Sequence, residues 1–349
     1  MKKRWVILAA GVWLAACTAG RAFDTVKLKP TGTVVGEVVK MSPLEVAVKQ
    51  GALEKKVPVN QIASIMYDSS TEPSSLNAAR MAARRGRYQD ALDVLTDPKK
   101  IPADIERREV QQDVAFFKAL CTAKLALGGT GKVSDAGRTM LGFIKDNGGS
   151  YHYLEACEQL GDLYVAAREY SFAETYYAKL AQAPWPDYQM RANVAIGRAQ
   201  LAEKKLAEAE KSFDTVLGIA AEGPLADFER MAATLGKARC LAEKGSPQEA
   251  YKMVQAVIAK ADPEYAELHS RAYNTLGTIE RKAGRTKEAI LAFLHVDILY
   301  FAYPEQHAEA LSNLEQLWNQ VHKPERAQKA RQTLETRYKN SPWAQQKGG

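Results

Sequence analysis

A chain of 349 residues is too long for one compact core, which excludes a single small domain and leaves two or three globular domains or one extended array. An apolar content of 46% is ordinary for folded proteins and excludes a disordered chain. The formal charge of +7 includes Lys2, Lys3 and Arg4, and so mild a bias does not imply nucleic-acid binding.

The chain opens with MKKRWVILAAGVWLAACTAGRAFD: a basic start, an apolar run from Trp5 to Ala16, then small residues. Residues 1–22 are therefore expected to be a secretion signal. About twelve apolar residues are too few for a hydrocarbon core that needs roughly twenty, so no permanent membrane span is expected here. Leu14-Ala15-Ala16-Cys17 resembles the lipobox (residues 14–17) of bacterial lipoproteins, in which the cysteine is lipidated and becomes the new N-terminus. The alternative is ordinary cleavage after Ala22, with Gly20 and Ala22 as the small residues, which gives a soluble secreted protein. Either way the chain is expected to be exported, periplasmic or anchored in the bacterial cell envelope through lipid on Cys17.

Residues 23–68 form a distinct block. TVVGEVVKM, LEVAVKQ and KKVPVNQIASIMY are rich in β-branched residues and alternate apolar with polar, with Gly32, Pro43 and Gly51 between them. The pattern predicts a small antiparallel β module, either a partial barrel of SH3-like or Sm-like type or a sheet packed on the next part of the chain. DSSTEPSS then reads as a linker over residues 69–75, ending in a serine cap for the next helix. Past Cys17 the cysteines are Cys121, Cys157 and Cys240, widely spaced within helix-like stretches and without a C-x-x-C pair; buried single thiols are expected, and a disulfide between two of them stays open.

From Leu76 onward the pattern is helical and repeats. EQLGDLYVAAREYSFAETYY, VAIGRAQLAEKKLAEAEKSF, ATLGKARCLAEKGSPQEAYKMV and NTLGTIERKAGRTKEAILAF are variants of one unit. Gly161, Gly197, Gly236 and Gly277 recur at intervals of about 36–41 residues, as do Ala173, Ala209, Ala250 and Ala289, and such a period with two helices per unit marks a solenoid. The sequence here resembles the tetratricopeptide repeat (TPR) family, whose pattern appears as Leu276-Gly277, Gly284, Ala289 and Phe293, with Pro304 closing the unit. The resemblance implies a mainly α fold: an α-solenoid of about seven helical hairpins over residues 76–343, followed by a flexible tail over 344–349. The glycine and alanine positions are small because the paired helices cross closely there. ARRGRYQDALDVL makes a first unit, Ala103–Ile144 is degenerate, and the last unit, with Ala327, reads as a polar cap.

No catalytic constellation emerges. His152, His269, His295, His307 and His322 are scattered, without metal-ligand spacing, and His152 between two tyrosines reads as a packing or capping residue. GGTGK at Gly128–Lys132 lacks the spacing and the following Ser/Thr of a phosphate loop and reads as an inter-helix turn. No cofactor and no metal are expected.

In the repeat family the first helix of each unit lines the concave surface, and contacts recur six positions before the small glycine and one after it. Those positions share a face. The resemblance therefore implies a partner-binding groove carrying Arg191, Arg198, Arg230, Lys237 and Arg271, with Asn274 and Lys282, beside an acidic entrance of Glu155 and Asp162. The same arginines could instead pair with Asp187, Asp227 and Glu229. A second basic cluster, Arg80, Arg84 and Arg87 at the spacing of one helix face with Arg85 adjacent, is expected to be a solvated surface or to meet anionic headgroups. The expected function is a non-enzymatic scaffold of the bacterial envelope that binds an acidic or carboxylate-bearing segment of a protein or peptide partner, without nucleic acid. The alternative is an envelope enzyme or a carbohydrate- or cell-wall-binding protein that uses the β module or the groove.

Overall fold

The computed structural model describes residues 23–345; the expected signal sequence and Cys17 lie outside the described residues. The β-branched block folds into β1 (Asp24–Leu28), β2 (Thr33–Met41), β3 (Glu45–Gln50), β4 (Leu53–Pro58) and β5 (Ile62–Met66), all antiparallel in the order β4-β3-β2-β1-β5. The alternation does what a half-buried strand requires: Val34, Gly36 and Val38 of β2 point inward. The first half of β2 pairs with β1 and the second half with β3, so the sheet bends in the middle of that strand. Gly36 permits the bend, since a Cβ there would lie 2.8 Å from Val48 Cγ1 and against the Lys49 carbonyl.

The module is not a separate body. Val26, Val46, Val48 and Ile65 are buried in the same apolar cluster as Leu76, Val110 and Phe116 of the helical part. Asp24, 2% exposed, holds the junction: it accepts Val38 N–H at 2.7 Å and Asp68 N–H at 2.9 Å, and Arg107 grips both its oxygens at 2.8 and 2.6 Å. The stretch expected as a linker is fixed by Glu72, which accepts Tyr67 N–H at 2.8 Å and pairs with Arg80 at 2.7 Å. The first helix opens at Ser74 with no side-chain cap.

The described residues then form seven hairpins: α1 (Ser74–Arg84) with α2 (Tyr88–Thr96), α3 (Arg108–Leu127) with α4 (Val133–Asp146), α5 (Tyr153–Ala166) with α6 (Tyr170–Ala181), α7 (Pro186–Ala202) with α8 (Leu206–Gly218), α9 (Pro224–Glu243) with α10 (Pro247–Lys260), α11 (Ala266–Lys282) with α12 (Thr286–Leu299), and α13 (Pro304–Gln320) with α14 (Pro324–Arg337). Ala344 and Gln345, expected in the tail, complete a short α15 (Pro342–Gln345), with Ala344 buried. Every turn inside a hairpin carries one left-handed residue: Gly86, Gly129, Arg168, Lys204, Gly245, Gly284 and His322. That residue reverses the chain after the first helix of each hairpin, the role glycine fills most cheaply.

The small residues act as expected, with one refinement. Ala173, Ala209, Ala250 and Ala289 are fully buried. The glycines make room for a ring from the second helix: a Cβ on Gly277 would lie 2.6 Å from Phe293 Cζ, one on Gly197 2.7 Å from Phe213 Cε1, and one on Gly161 against Tyr177. Gly236 meets Phe213 of the preceding unit, so that ring is seated between two glycines. Small and large residues thus interlock within and between units.

The solenoid curls until its two ends meet. The α3–α4 turn, GGTGK, touches the seventh hairpin and the residues after it: Asn340 N–H donates to the Gly129 carbonyl at 3.3 Å and Asn340 Nδ2 to the Gly131 carbonyl at 3.2 Å. Its glycines are needed for that approach, because a Cβ on Gly128 would lie 2.5 Å from Pro304 Cβ and one on Gly129 2.8 Å from the Tyr338 backbone.

Candidate functional site

Closure turns the concave surface into a chamber of about 330 Å³, lined by the first helices of five successive units, α3, α5, α7, α9 and α11. These helices are built with a polar stripe at this level. Lys124, Arg191, Arg198 and Arg271 bring positive charge, and Glu158, Asp162, Glu229 and Glu267 bring negative charge. Val194, Leu225, Phe228 and Tyr265 supply an apolar wall.

Of the expected groove residues, the structure brings three into this chamber, and each has an acid beside it. Arg191 donates through Nε to Glu158 at 2.7 Å. Arg271 donates to Glu267 at 2.7 Å. Arg198 reaches across the lumen toward Glu305 on α13 at 3.5 Å, and Glu305 is 50% exposed. Asn274 is buried, donates to the Gln306 carbonyl at 2.9 Å, and leaves its Oδ1 without a hydrogen-bond partner.

The other three stand elsewhere. Arg230 turns to Asp227 at 3.1 Å and to the carbonyls of Ile219 and Ala221 in the preceding loop. Lys237 pairs with Asp214 on α8 at 2.6 Å, and Lys282 with Glu243 at 2.8 Å. None of the three lines the chamber. The stripe is therefore not continuous, and acids interleave with it. Nor does an acidic entrance form: Asp162 accepts the Tyr177 hydroxyl at 2.8 Å inside the chamber, while Glu155 is held by Arg84 at 2.8 Å.

Of the expected basic cluster, Arg84, Arg85 and Arg87 are exposed, whereas Arg80 is a buried clamp. Arg80 is 4% exposed and sits between Glu72 and Asp113, and Asp113 also faces His152 Nε2 at 3.0 Å. His152 stacks on Phe116 with ring centroids 3.8 Å apart, a packing role with no side-chain cap. Cys121, Cys157 and Cys240 are free and buried, and burial pushes their thiols up to about 12, about 11 and about 11. Among the described residues no group of three or more His, Cys, Asp or Glu side chains is placed to hold a metal ion.

Burial and charge shift the chamber's carboxyls in opposite directions. Arg271 beside Glu267 holds that carboxyl below its usual range. Burial pushes Glu229 up to about 7, even though Arg191 and Arg271 pull it down, and burial also raises Glu158. Sequence reasoning missed Lys124, Gln159, Glu158 and Glu267 here, together with Arg239, which crosses to Glu309 on α13 at 2.8 Å. Lys124 falls in the degenerate unit, where no Leu-Gly pair sets the register; Glu305 and Glu309 become neighbours of α7 and α9 only through curling.

Residues 156–187 match the family model of the tetratricopeptide repeat, over the unit that carries Gly161 and Ala173. Among solved structures the chain is similar to a Rap protein complexed with competence and sporulation factor, at 14% identity and TM-score 0.52, covering 78% of this chain and 77% of that one. It is also similar to a tetratricopeptide repeat protein from Parabacteroides merdae, at 16% identity and TM-score 0.47, covering 75% and 91%. A third is NprR in complex with its cognate peptide NprX, at 13% identity and TM-score 0.43, covering 78% and 79%. No curated protein matches the chain. With the repeat at 156–187, the seven hairpins and the interlocked glycines and rings, the chain is an α-solenoid of tetratricopeptide-type repeats behind a five-stranded antiparallel β module, a fold that supports protein–protein interaction.

Proposed function

We propose that the chain is a non-enzymatic interaction scaffold of the bacterial cell envelope, and that its chamber holds an acidic or carboxylate-bearing segment of a protein or peptide partner. The observation that carries this reading is the convergence of Arg191 and Arg198 from α7 with Arg271 from α11 on one cavity. Arg198 is the open position: Glu305 stands 3.5 Å away and half exposed, so a partner carboxylate can displace it and form the shorter paired contacts that guanidinium groups make. The Rap protein with the similar fold is complexed with a factor, which accords with a bound partner here. The envelope address rests on the pattern of residues 1–22, and lipid on Cys17 would tether the scaffold at a membrane surface.

The test is binding of acidic peptides with a free C-terminus to the mature chain and to the double variant Arg198→Glu with Arg271→Glu. Affinity should fall in the double variant and with added salt, since partly exposed charge pairs are screened. Arg230→Glu with Lys237→Glu, away from the chamber, should leave it unchanged. Undiminished binding by the Arg198/Arg271 variant would overturn the reading.

A further inference from the structure

Two chamber residues of opposite charge, Lys124 on α3 and Glu229 on α9, make no hydrogen bond and no ion pair among the described residues. They differ in this from the arginines around them, each of which has a carboxylate at hand. Charges that line a cavity without a contact partner of opposite sign can take one from a ligand, so this pair offers one place for an anionic group and one for a cationic group.

The balance of the lining says which ligand. Four basic and four acidic side chains make the chamber neutral in formal charge, so a simple anion would upset what a dipolar ion preserves. The volume of about 330 Å³ stands at the lower end of small-molecule sites, roughly 300–1,000 Å³, and suits a few residues rather than a helix. The apolar wall of Leu225 and Phe228 leaves room for one aliphatic side chain.

We infer that the chamber binds a short peptide with both ends free, its carboxylate at Lys124 and its ammonium at Glu229. The inference rests on the proposed use of the chamber and narrows its occupant.

The experiment is calorimetric titration of the mature chain with tri-alanine, N-acetyl-tri-alanine, tri-alanine amide and a longer acidic peptide blocked at both ends. Tri-alanine should bind, and each blocked form should bind at least tenfold more weakly. In Glu229→Gln the free and N-acetylated forms should bind alike, and in Lys124→Met the free and amidated forms alike, each variant keeping the helical circular-dichroism signal of the wild-type chain. Equal binding of free and blocked tri-alanine to the wild-type chain would overturn the inference without recourse to any variant. Binding of the long acidic peptide but not of tri-alanine would overturn it while leaving the scaffold reading intact; binding of neither would sink both.

Discussion

The backbone amide of Asn340 donates to the carbonyl of Gly129 across 3.3 Å, joining the segment after the seventh hairpin to the turn of the second. This closes the ring around the chamber, and it depends on a residue at φ +84° whose missing Cβ would stand 2.8 Å from the Tyr338 backbone. Valine at Gly129 meets both obstacles, a left-handed backbone and a main-chain clash. Gly129→Val should therefore cost about 1–3 kcal/mol and loosen the closure. Small-angle scattering should show a larger radius of gyration, and the last hairpin should become the first site of proteolysis; an unchanged radius and cleavage pattern would show that the ends do not hold each other.

The pairing of Gly277 with Phe293 gives a test of the repeat register. A leucine at Gly277 must displace a fully buried ring whose nearest atom lies 2.6 Å from the new Cβ. Gly277→Leu should cost about 1–3 kcal/mol, whereas Lys287→Leu, on the exposed side of α12, should stay within about 0.5 kcal/mol. Thermal melts of the two variants decide it, since equal midpoints contradict the packing.

Glu229 makes stability depend on pH in a defined direction. Burial lifts its carboxyl from the ordinary 4.5 to about 7, with Glu158 and Asp187 adding to the rise and Arg191 and Arg271 opposing it. Between those values the folded chain retains a proton that the unfolded chain releases, so this group's contribution is fully favourable below pH 4.5 and is lost as pH rises through 7. Glu229→Gln should raise the melting temperature at pH 8, by a few degrees at most, and leave it unchanged near pH 4. The difference between the two chains, measured across that range, is the readout; a gain at pH 4 equal to that at pH 8 would contradict the assignment.

Export is tested separately. Labelling of expressing bacteria with a palmitate analogue should mark the protein, and Cys17→Ser should abolish the mark. An unlabelled wild-type chain whose mature N-terminus is Phe23 would place cleavage after Ala22 and exclude the lipid anchor.

The repeat was legible because its cause is local. Gly277, Ala289 and Phe293 lie within one unit, and each unit must satisfy the same close crossing against its own second helix, so the demand for small residues recurs along the chain. The β module was legible for a similar reason, since inward valines at alternate positions are a property of single strands. What the sequence by itself determined is thus the kind of unit, its approximate number and the change from strands to helices near residue 70.

Tertiary structure decided what the units enclose. Each unit rotates slightly against the last, and the sum over several units brings Glu305 to Arg198, Glu309 to Arg239 and Asn340 to Gly129. No local pattern records such a sum, because the small rotations depend on side-chain packing at each interface. The same curling explains why equivalent repeat positions part company, Arg191 and Arg271 facing the chamber while Arg230 turns to the α8–α9 loop. It also explains why GGTGK, readable only as a turn, is the place where the ring closes: its glycines are required by residues that approach from the far end of the chain.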